Sequence, residues 1–242
     1  MRTWLIGVAI LAALPAVAAP RSPASVTVTQ KTPALDFSYT YPAAAARIAP
    51  LRRWLDAQRS ALRTKALRDA TADRREATKS GFPFRQHDAT TEWKVVTDTP
   101  RLLSLSVESY RYTGGAHGGT VIDSVVWDKA RARRVAPRAM FVSDGALQDL
   151  LGKTWCEKLK AARVKRLGGD IADDDIFPCP TVDKLTLLLG STDARAIDRI
   201  GLIAGQYVAG SYAEGMYEIT LPVTPALLRI VRPEWRAMFV AR

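Results

Sequence analysis

Few side chains in this chain could carry acid–base or metal chemistry. It has two histidines, His87 and His117, and two cysteines, Cys156 and Cys179, in 242 residues. Catalytic zinc usually takes three protein ligands, so two histidines beside a cysteine pair predict no metal site, and we expect no cofactor. The Gly-x-Ser-x-Gly elbow and the phosphate-binding Walker loop are also absent from the sequence. We therefore expect no enzyme of these classes.

His117 is the one candidate acid–base group, because it lies in the glycine-rich run at residues 113–119, where a ligand could approach closely. As a catalyst it would need a nucleophile or carboxylate partner, which the sequence does not identify. The alternative is a structural or ligand-contacting histidine that bonds a nearby carbonyl or carboxylate. We favour this second interpretation. Envelope hydrolysis with His117 as the acid or base is the competing hypothesis.

Tyrosines close to glycines form the second candidate feature. The segment 205–215 carries Tyr207 and Tyr212, and Tyr112 precedes the glycine-rich run. Such rings could stack on sugars, although alternation within a sheet explains their spacing equally well. The candidate ligand-binding residues are Tyr112, Gly114, Gly115, His117, Tyr207 and Tyr212.

The N-terminus has the pattern of an export signal. Arg2 is followed by an apolar stretch at residues 4–14 and by small residues that include Ala16 and Ala18. The stretch is shorter than the roughly 20 residues of a membrane-spanning helix. We predict a cleaved signal peptide at residues 1–18, a linker at 19–25, no transmembrane anchor after cleavage, and a periplasmic or secreted protein. Because that compartment is oxidising, Cys156 and Cys179 should form a disulfide.

The composition is that of a globular chain with a basic surface. Apolar residues make up 48%, and 35 basic against 24 acidic side chains give a formal charge of +11. Such a charge favours anionic partners. Export and the lack of a recognised motif speak against nucleic acid.

The spacing of apolar residues changes along the chain between the period of a helix and the period of a strand, and it predicts the elements that must position these residues. Helical spacing at 43–77 and again after Ser143, a good N-cap, predicts two longer amphipathic helices, and a short helix should close the chain at 222–231. Short connections between strands predict an α+β fold with a mainly antiparallel sheet. The basic side of the first helix either meets an anionic surface or is simply solvated. The predicted strands lie at 26–29, 35–41, 92–98, 102–112, 120–128, 182–189, 200–204 and 217–221.

Three segments resemble one bacterial envelope family, which includes the RsiV ectodomain and the non-catalytic region of PdaC. They are the glycine-His run at 110–119, the segment 206–215 followed by 219–223, and the strand at 35–42. The resemblance implies an extracytoplasmic α+β module of uncharacterised function, which binds lysozyme in some relatives. It also suggests a PdaC-like strand–helix subdomain at 26–80 and an RsiV-like domain at 81–242. The sequence has no sigma-binding segment and no room for a deacetylase domain, so we expect neither activity.

We therefore expect an exported, non-catalytic binding module of the cell envelope. Its partner would be an envelope polymer such as peptidoglycan, or an envelope protein such as lysozyme. Lysozymes are generally basic, and two strongly positive proteins repel each other on encounter. The charge therefore favours an anionic polymer.

Overall fold

The computed structural model describes residues 25–169 and 177–242. The predicted signal peptide at 1–18, and all but the last residue of the predicted linker at 19–25, lie outside these ranges. The described chain combines two sheets with two long and three short helices, so the predicted α+β class is confirmed. All strand pairs within the described residues are antiparallel except one.

The larger sheet has six strands in chain order. Its second and third strands are parallel, because a long helical connection carries the chain back across the sheet between them. The strands are β1 (Val26–Lys31), β2 (Leu35–Tyr41), β3 (His87–Asp98), β4 (Leu102–Tyr112), β5 (Gly119–Asp128) and β6 (Arg133–Val135).

Two helices, not the single one predicted at 43–77, form that connection. They are α1 (Ala43–Ala46) and α2 (Ala49–Ser80). The chain breaks at Ile48, whose backbone is extended at φ −94° and ψ 96°. Pro50 then lies in the first turn of α2, where its missing amide costs no helical hydrogen bond. The helix ends at Gly81, which is left-handed at φ 70°.

The face of the sheet under α2 contains one of the two cores. Leu51 and Leu55 of the helix are fully buried against residues such as Phe37 and Leu105. Alternation along β4 places Leu103, Leu105 and Val107 on this face, as the sequence pattern predicts.

The smaller sheet has the order β7 (Thr186–Gly190), β8 (Arg199–Ala204), β9 (Tyr217–Pro222). The helix α3 (Asp144–Leu167) packs against it, and Trp155 is fully buried in this second core. Ser143 caps α3 as predicted, since its side chain accepts a hydrogen bond from the Ala146 amide at 3.1 Å. Two short helices close the chain, α4 (Pro225–Ile230) and α5 (Pro233–Arg236).

The strand predicted at 182–189 starts later, at Thr186, because side chains bind the preceding backbone. The Val182 amide donates to the Gln148 side-chain oxygen at 2.7 Å. Arg138 donates to the carbonyls of Val182 and Leu185. These bonds hold Val182–Lys184 in a 3₁₀ turn. The short strand β6 (Arg133–Val135) is not among the predicted strands.

The two sheets touch through β5 and β7. The Thr186 hydroxyl donates to the Ile122 carbonyl, and the Ser124 hydroxyl donates to the Leu187 carbonyl, both at 2.8 Å. Strands on both sides of residue 80 form one continuous sheet. The division of the chain at residue 80 stays a prediction.

The predicted disulfide is confirmed. Cys156 in α3 is bonded to Cys179, with their Cα atoms 5.7 Å apart. The bond fastens the segment before β7 to the middle of α3.

Candidate functional site

The connection between β4 and β5 carries His117 on a tight glycine turn. Gly114 has a φ of +90°, a conformation that favours glycine. Gly118 is buried against Tyr110, and a Cβ atom built on it would lie 2.3 Å from the tyrosine ring. The glycines thus bring the chain close to Tyr110 and place His117 at the exposed end of the hairpin.

A second connection, between β8 and β9, lies beside the first. The Thr120 amide at the start of β5 donates to the Gln206 side-chain oxygen at 2.8 Å. Tyr207 follows with a φ of 64°, which is uncommon for a residue other than glycine. The segment then makes a 3₁₀ turn at Tyr212–Glu214, which Ser211 and Glu214 cap reciprocally.

Together these two connections form an aromatic cluster of His117, Tyr207 and Tyr212. The rings of His117 and Tyr212 stack with centroids 3.9 Å apart and planes inclined by 26°. The Tyr207 hydroxyl lies 3.3 Å from His117 Nε2, and the two tyrosine rings are 5.8 Å apart. Tyr207 is 54% exposed. The cluster therefore presents aromatic surface and a phenol hydroxyl to solvent.

A buried ion pair anchors the segment that carries both tyrosines. Arg163 of α3 binds Glu214 with two hydrogen bonds, at 3.0 and 3.3 Å, and both side chains are over nine-tenths buried. Glu214 also accepts from the Tyr217 hydroxyl at 2.7 Å and from the Ser211 amide at 2.9 Å. The Arg163 hydrogen bond is the main cause that lowers the pKa of Glu214 to about 2, so the carboxylate stays ionised.

Arg166 strengthens the same anchor one turn further along α3. Its guanidinium lies 3.9 Å from the centre of the Tyr217 ring and donates to the Met216 carbonyl at 2.8 Å. Burial is the main cause that raises the pKa of Tyr217. The tyrosine therefore remains a hydrogen-bond donor to Glu214.

The structure does not bring all six candidate ligand-binding residues together. Tyr112 and Gly115 instead lie beside Arg85, whose guanidinium is 3.5 Å from the Tyr112 hydroxyl and 3.3 Å from the Gly115 carbonyl. Gly114 also borders Arg85. Their role in binding stays a prediction, as it does for the aromatic cluster.

Sequence reasoning missed Arg163 and Glu214, which position the cluster. The two residues are 51 positions apart, and no sequence pattern near either of them predicts that they pair. The spacing of Ser211 and Glu214 was the available signal, because Ser-x-x-Glu is the pattern of a reciprocal cap.

The arrangement around His117 suits binding better than proton transfer. Its Nδ1 lies 2.9 Å from the Gly118 carbonyl, while its Nε2 faces the Tyr207 hydroxyl. Within residues 25–169 and 177–242, no carboxylate contacts this ring to act as its partner. The same ranges hold no group of three or more His, Cys, Asp or Glu side chains arranged for a metal ion.

Comparison with known proteins agrees with the resemblance seen in the sequence. Residues 28–120 match the family model described as deacetylase PdaC. A DUF3298 family protein from Pseudomonas aeruginosa PAO1 is similar in structure, with a TM-score of 0.56 at 18% identity over 90% of this chain and 96% of that one. A DUF3298 family member from Bacteroides fragilis NCTC 9343 gives 0.50 at 19% identity, over 88% and 95% respectively.

The resemblance to PdaC predicted from the sequence is thereby confirmed for residues 28–120. The two solved structures share the fold of this chain, and their family has no established function. No curated protein matches the sequence. Among the described helices, none combines the length and apolar character that crossing a bilayer requires.

Proposed function

We propose that this protein is an exported binding module of the bacterial cell envelope that recognises envelope glycan through His117, Tyr207 and Tyr212. The observation that carries the proposal is the exposed aromatic cluster, held by two neighbouring connections. Aromatic rings suit sugars because an apolar face can cover C–H groups while phenol and imidazole atoms bond hydroxyls.

The construction of the cluster supports a binding role. Tyr207 adopts a left-handed backbone conformation, and such conformations persist where the surroundings enforce them, commonly at ligand sites. Tyr212 is fixed by the reciprocal cap and by the Arg163–Glu214 pair. A prearranged surface loses little conformational entropy when a ligand binds.

Export is part of the same proposal. The N-terminal pattern of Arg2, an apolar stretch and small residues supports it. The Cys156–Cys179 disulfide supports it as well, because structural disulfides persist chiefly in oxidising compartments.

Titration of the purified protein with amino-sugar oligosaccharides from peptidoglycan tests the proposal. Replacing Tyr207 by Ala should weaken binding by roughly 1–1.5 kcal/mol, or about 5- to 12-fold. Phe82→Ala is a matched control, because Phe82 is another exposed aromatic residue, at 71% exposure, outside the cluster. The control should bind like the parent protein.

Three outcomes would contradict the proposal. Equal affinity of the parent protein and Tyr207→Ala would remove the cluster from recognition. Stronger retention on lysozyme than on glycan would assign a protein partner instead. Turnover of the oligosaccharides that His117→Ala abolishes, at unchanged thermal stability, would establish the hydrolase alternative.

A further inference from the structure

A second surface lies along α2, on the side of the helix that overhangs the free edge of β1. It is a groove of about 780 Å³. Its walls are one face of α2 and the outer part of the edge strand, which pairs only with β2 in the part of the chain that the structure describes. The residues that line this basic groove are Thr29, Gln30, Arg63, Thr64, Leu67, Arg68, Thr71, Ala72 and Arg75.

The lining residues follow the helical repeat over three turns. Arg63, Leu67, Thr71 and Arg75 are spaced by four and therefore share one face of α2. At 1.5 Å per residue, Arg63 and Arg75 are about 18 Å apart along the helix axis. The groove therefore presents two separated positive charges with hydroxyl groups between them. This pattern suits a linear ligand better than a single ion.

The acidic residues of this half of α2 lie outside the lining of the groove. Asp73 and Glu76 line a different concavity, on the side of the helix that faces His87, and Asp73 bonds the His87 ring at 3.3 Å. Asp69 pairs with Lys65 and Arg68. A helix face that is only solvated commonly mixes both signs. Here the groove lining contains three arginines and no acidic residue.

Two of the groove arginines are available to a ligand. Arg63 and Arg75 are exposed and make no side-chain hydrogen bond or ion pair within residues 25–169 and 177–242. Thr64 and Thr71 are also exposed, and their hydroxyls make no hydrogen bond within the same ranges. Guanidinium groups bind phosphate and carboxylate groups with paired hydrogen bonds, and nearby hydroxyls can bond sugar oxygens.

We infer that the basic groove binds a linear anionic glycan, with Arg63 and Arg75 each taking a phosphate or carboxylate group. No aromatic residue lines the groove, so a nucleic acid would find no surface for base stacking. The few apolar lining residues, Leu67 and Ala72, do not form the alternating pockets that an extended peptide uses beside an edge strand. This inference goes beyond the proposed function, since its residues and ligand charge differ from those of the aromatic cluster.

The test compares two double variants that change the net charge equally. Arg63→Gln with Arg75→Gln removes both free groove arginines. Arg195→Gln with Arg229→Gln removes two exposed arginines outside the groove. The probes are a fluorescent oligomer of sugars linked through phosphodiesters and an oligogalacturonate of the same charge. The groove variant should lose about tenfold or more in affinity, and the control less than about twofold.

The probes and conditions separate the sources of charge. Preference for the phosphodiester-linked sugar oligomer would assign phosphate as the recognised group, and preference for oligogalacturonate would assign carboxylate. Either result supports the inference, and binding should weaken as salt rises. Circular dichroism of both variants checks that the fold is retained.

Four outcomes would overturn the inference. The first is that neither anionic probe binds at low salt, and the second is that the two double variants lose affinity equally. The third and fourth are that single-stranded DNA or polyglutamate binds more tightly than both anionic probes. The Tyr207→Ala variant should bind both anionic probes like the parent protein. If only Tyr207→Ala loses peptidoglycan-oligosaccharide binding and the groove variant keeps its affinity for the anionic probes, the groove inference fails. If only the groove variant loses affinity for the anionic probes and Tyr207→Ala keeps binding the oligosaccharides, the proposed function fails.

Discussion

The Arg163–Glu214 pair allows a specific prediction for the effect of Glu214→Gln on the free energy of unfolding. The substitution keeps the shape of the side chain but removes its charge, so that the buried Arg163 guanidinium loses the charge of its Glu214 partner. A carboxyl whose pKa falls from 4.5 to about 2 contributes about 3 kcal/mol to the free energy of unfolding at neutral pH, at about 1.4 kcal/mol per pKa unit. We expect Glu214→Gln to lose about this amount.

The loss should depend on pH in a defined direction. Because folding lowers the pKa of Glu214, its stabilisation is complete above pH 4.5 and is lost as the pH falls towards about 2. The difference between parent protein and variant should shrink to less than half of its neutral-pH value at pH 3. Urea unfolding at several pH values between 3 and 7 measures this difference directly.

Glu218→Gln provides the matched control, since Glu218 is exposed on β9. It should change stability by less than about 0.5 kcal/mol at every pH. A Glu214→Gln difference that stayed constant from pH 7 to pH 3 would refute the electrostatic reasoning. So would equal losses in the two variants.

Two further predictions concern the glycine turn and the disulfide. Gly118→Ala should destabilise the protein and weaken glycan binding, because the added methyl group would lie 2.3 Å from the Tyr110 ring, whereas Gly119→Ala meets no atom within 4 Å and should be tolerated; thermal unfolding and titration of both variants check this. Replacing Cys156 and Cys179 together by Ser should lower the free energy of unfolding by about 3 kcal/mol in urea titrations, since the bond closes a loop across 23 positions. An unchanged unfolding midpoint for Gly118→Ala, or for the variant that lacks both cysteines, would contradict the corresponding prediction.

Much of the fold could be predicted because its signals are local. The alternation of Leu103, Leu105 and Val107 with polar residues identified β4 and its buried face. The cap at Ser143 marked the start of α3. Each of these signals lies within a few residues of the structure that it determines.

The predicted element boundaries were wrong mainly where groups distant in sequence determine the backbone conformation. The strand was predicted to begin at residue 182, but Arg138 and Gln148 bind the backbone of Val182 and Leu185 from more than 30 positions away. Pro50 was an ambiguous signal, because proline is compatible both with a bent helix and with the first turn of a new one. The extended conformation of Ile48 decided between them.

The candidate site likewise combines features that local sequence patterns predict with contacts that they do not predict. The glycine run and the segment with Tyr207 and Tyr212 were visible as local patterns, but their contact joins residues 90 positions apart. The basic groove depends on how α2 lies over β1, so the sequence indicated a basic helix face and left its meaning open. The groove exists because the basic face of α2 packs beside the edge strand β1.

The disulfide and the Arg163–Glu214 pair both fasten connections to α3, but they fasten different ones. Cys156 holds the segment before β7, whereas Arg163, two turns later, holds the segment that carries Tyr207 and Tyr212. Reducing the disulfide therefore removes a constraint on the unfolded chain and leaves the anchor of the aromatic cluster in place. Stability and glycan recognition should consequently be separable: reduction lowers the first at nearly unchanged affinity, whereas Glu214→Gln lowers both with the disulfide intact.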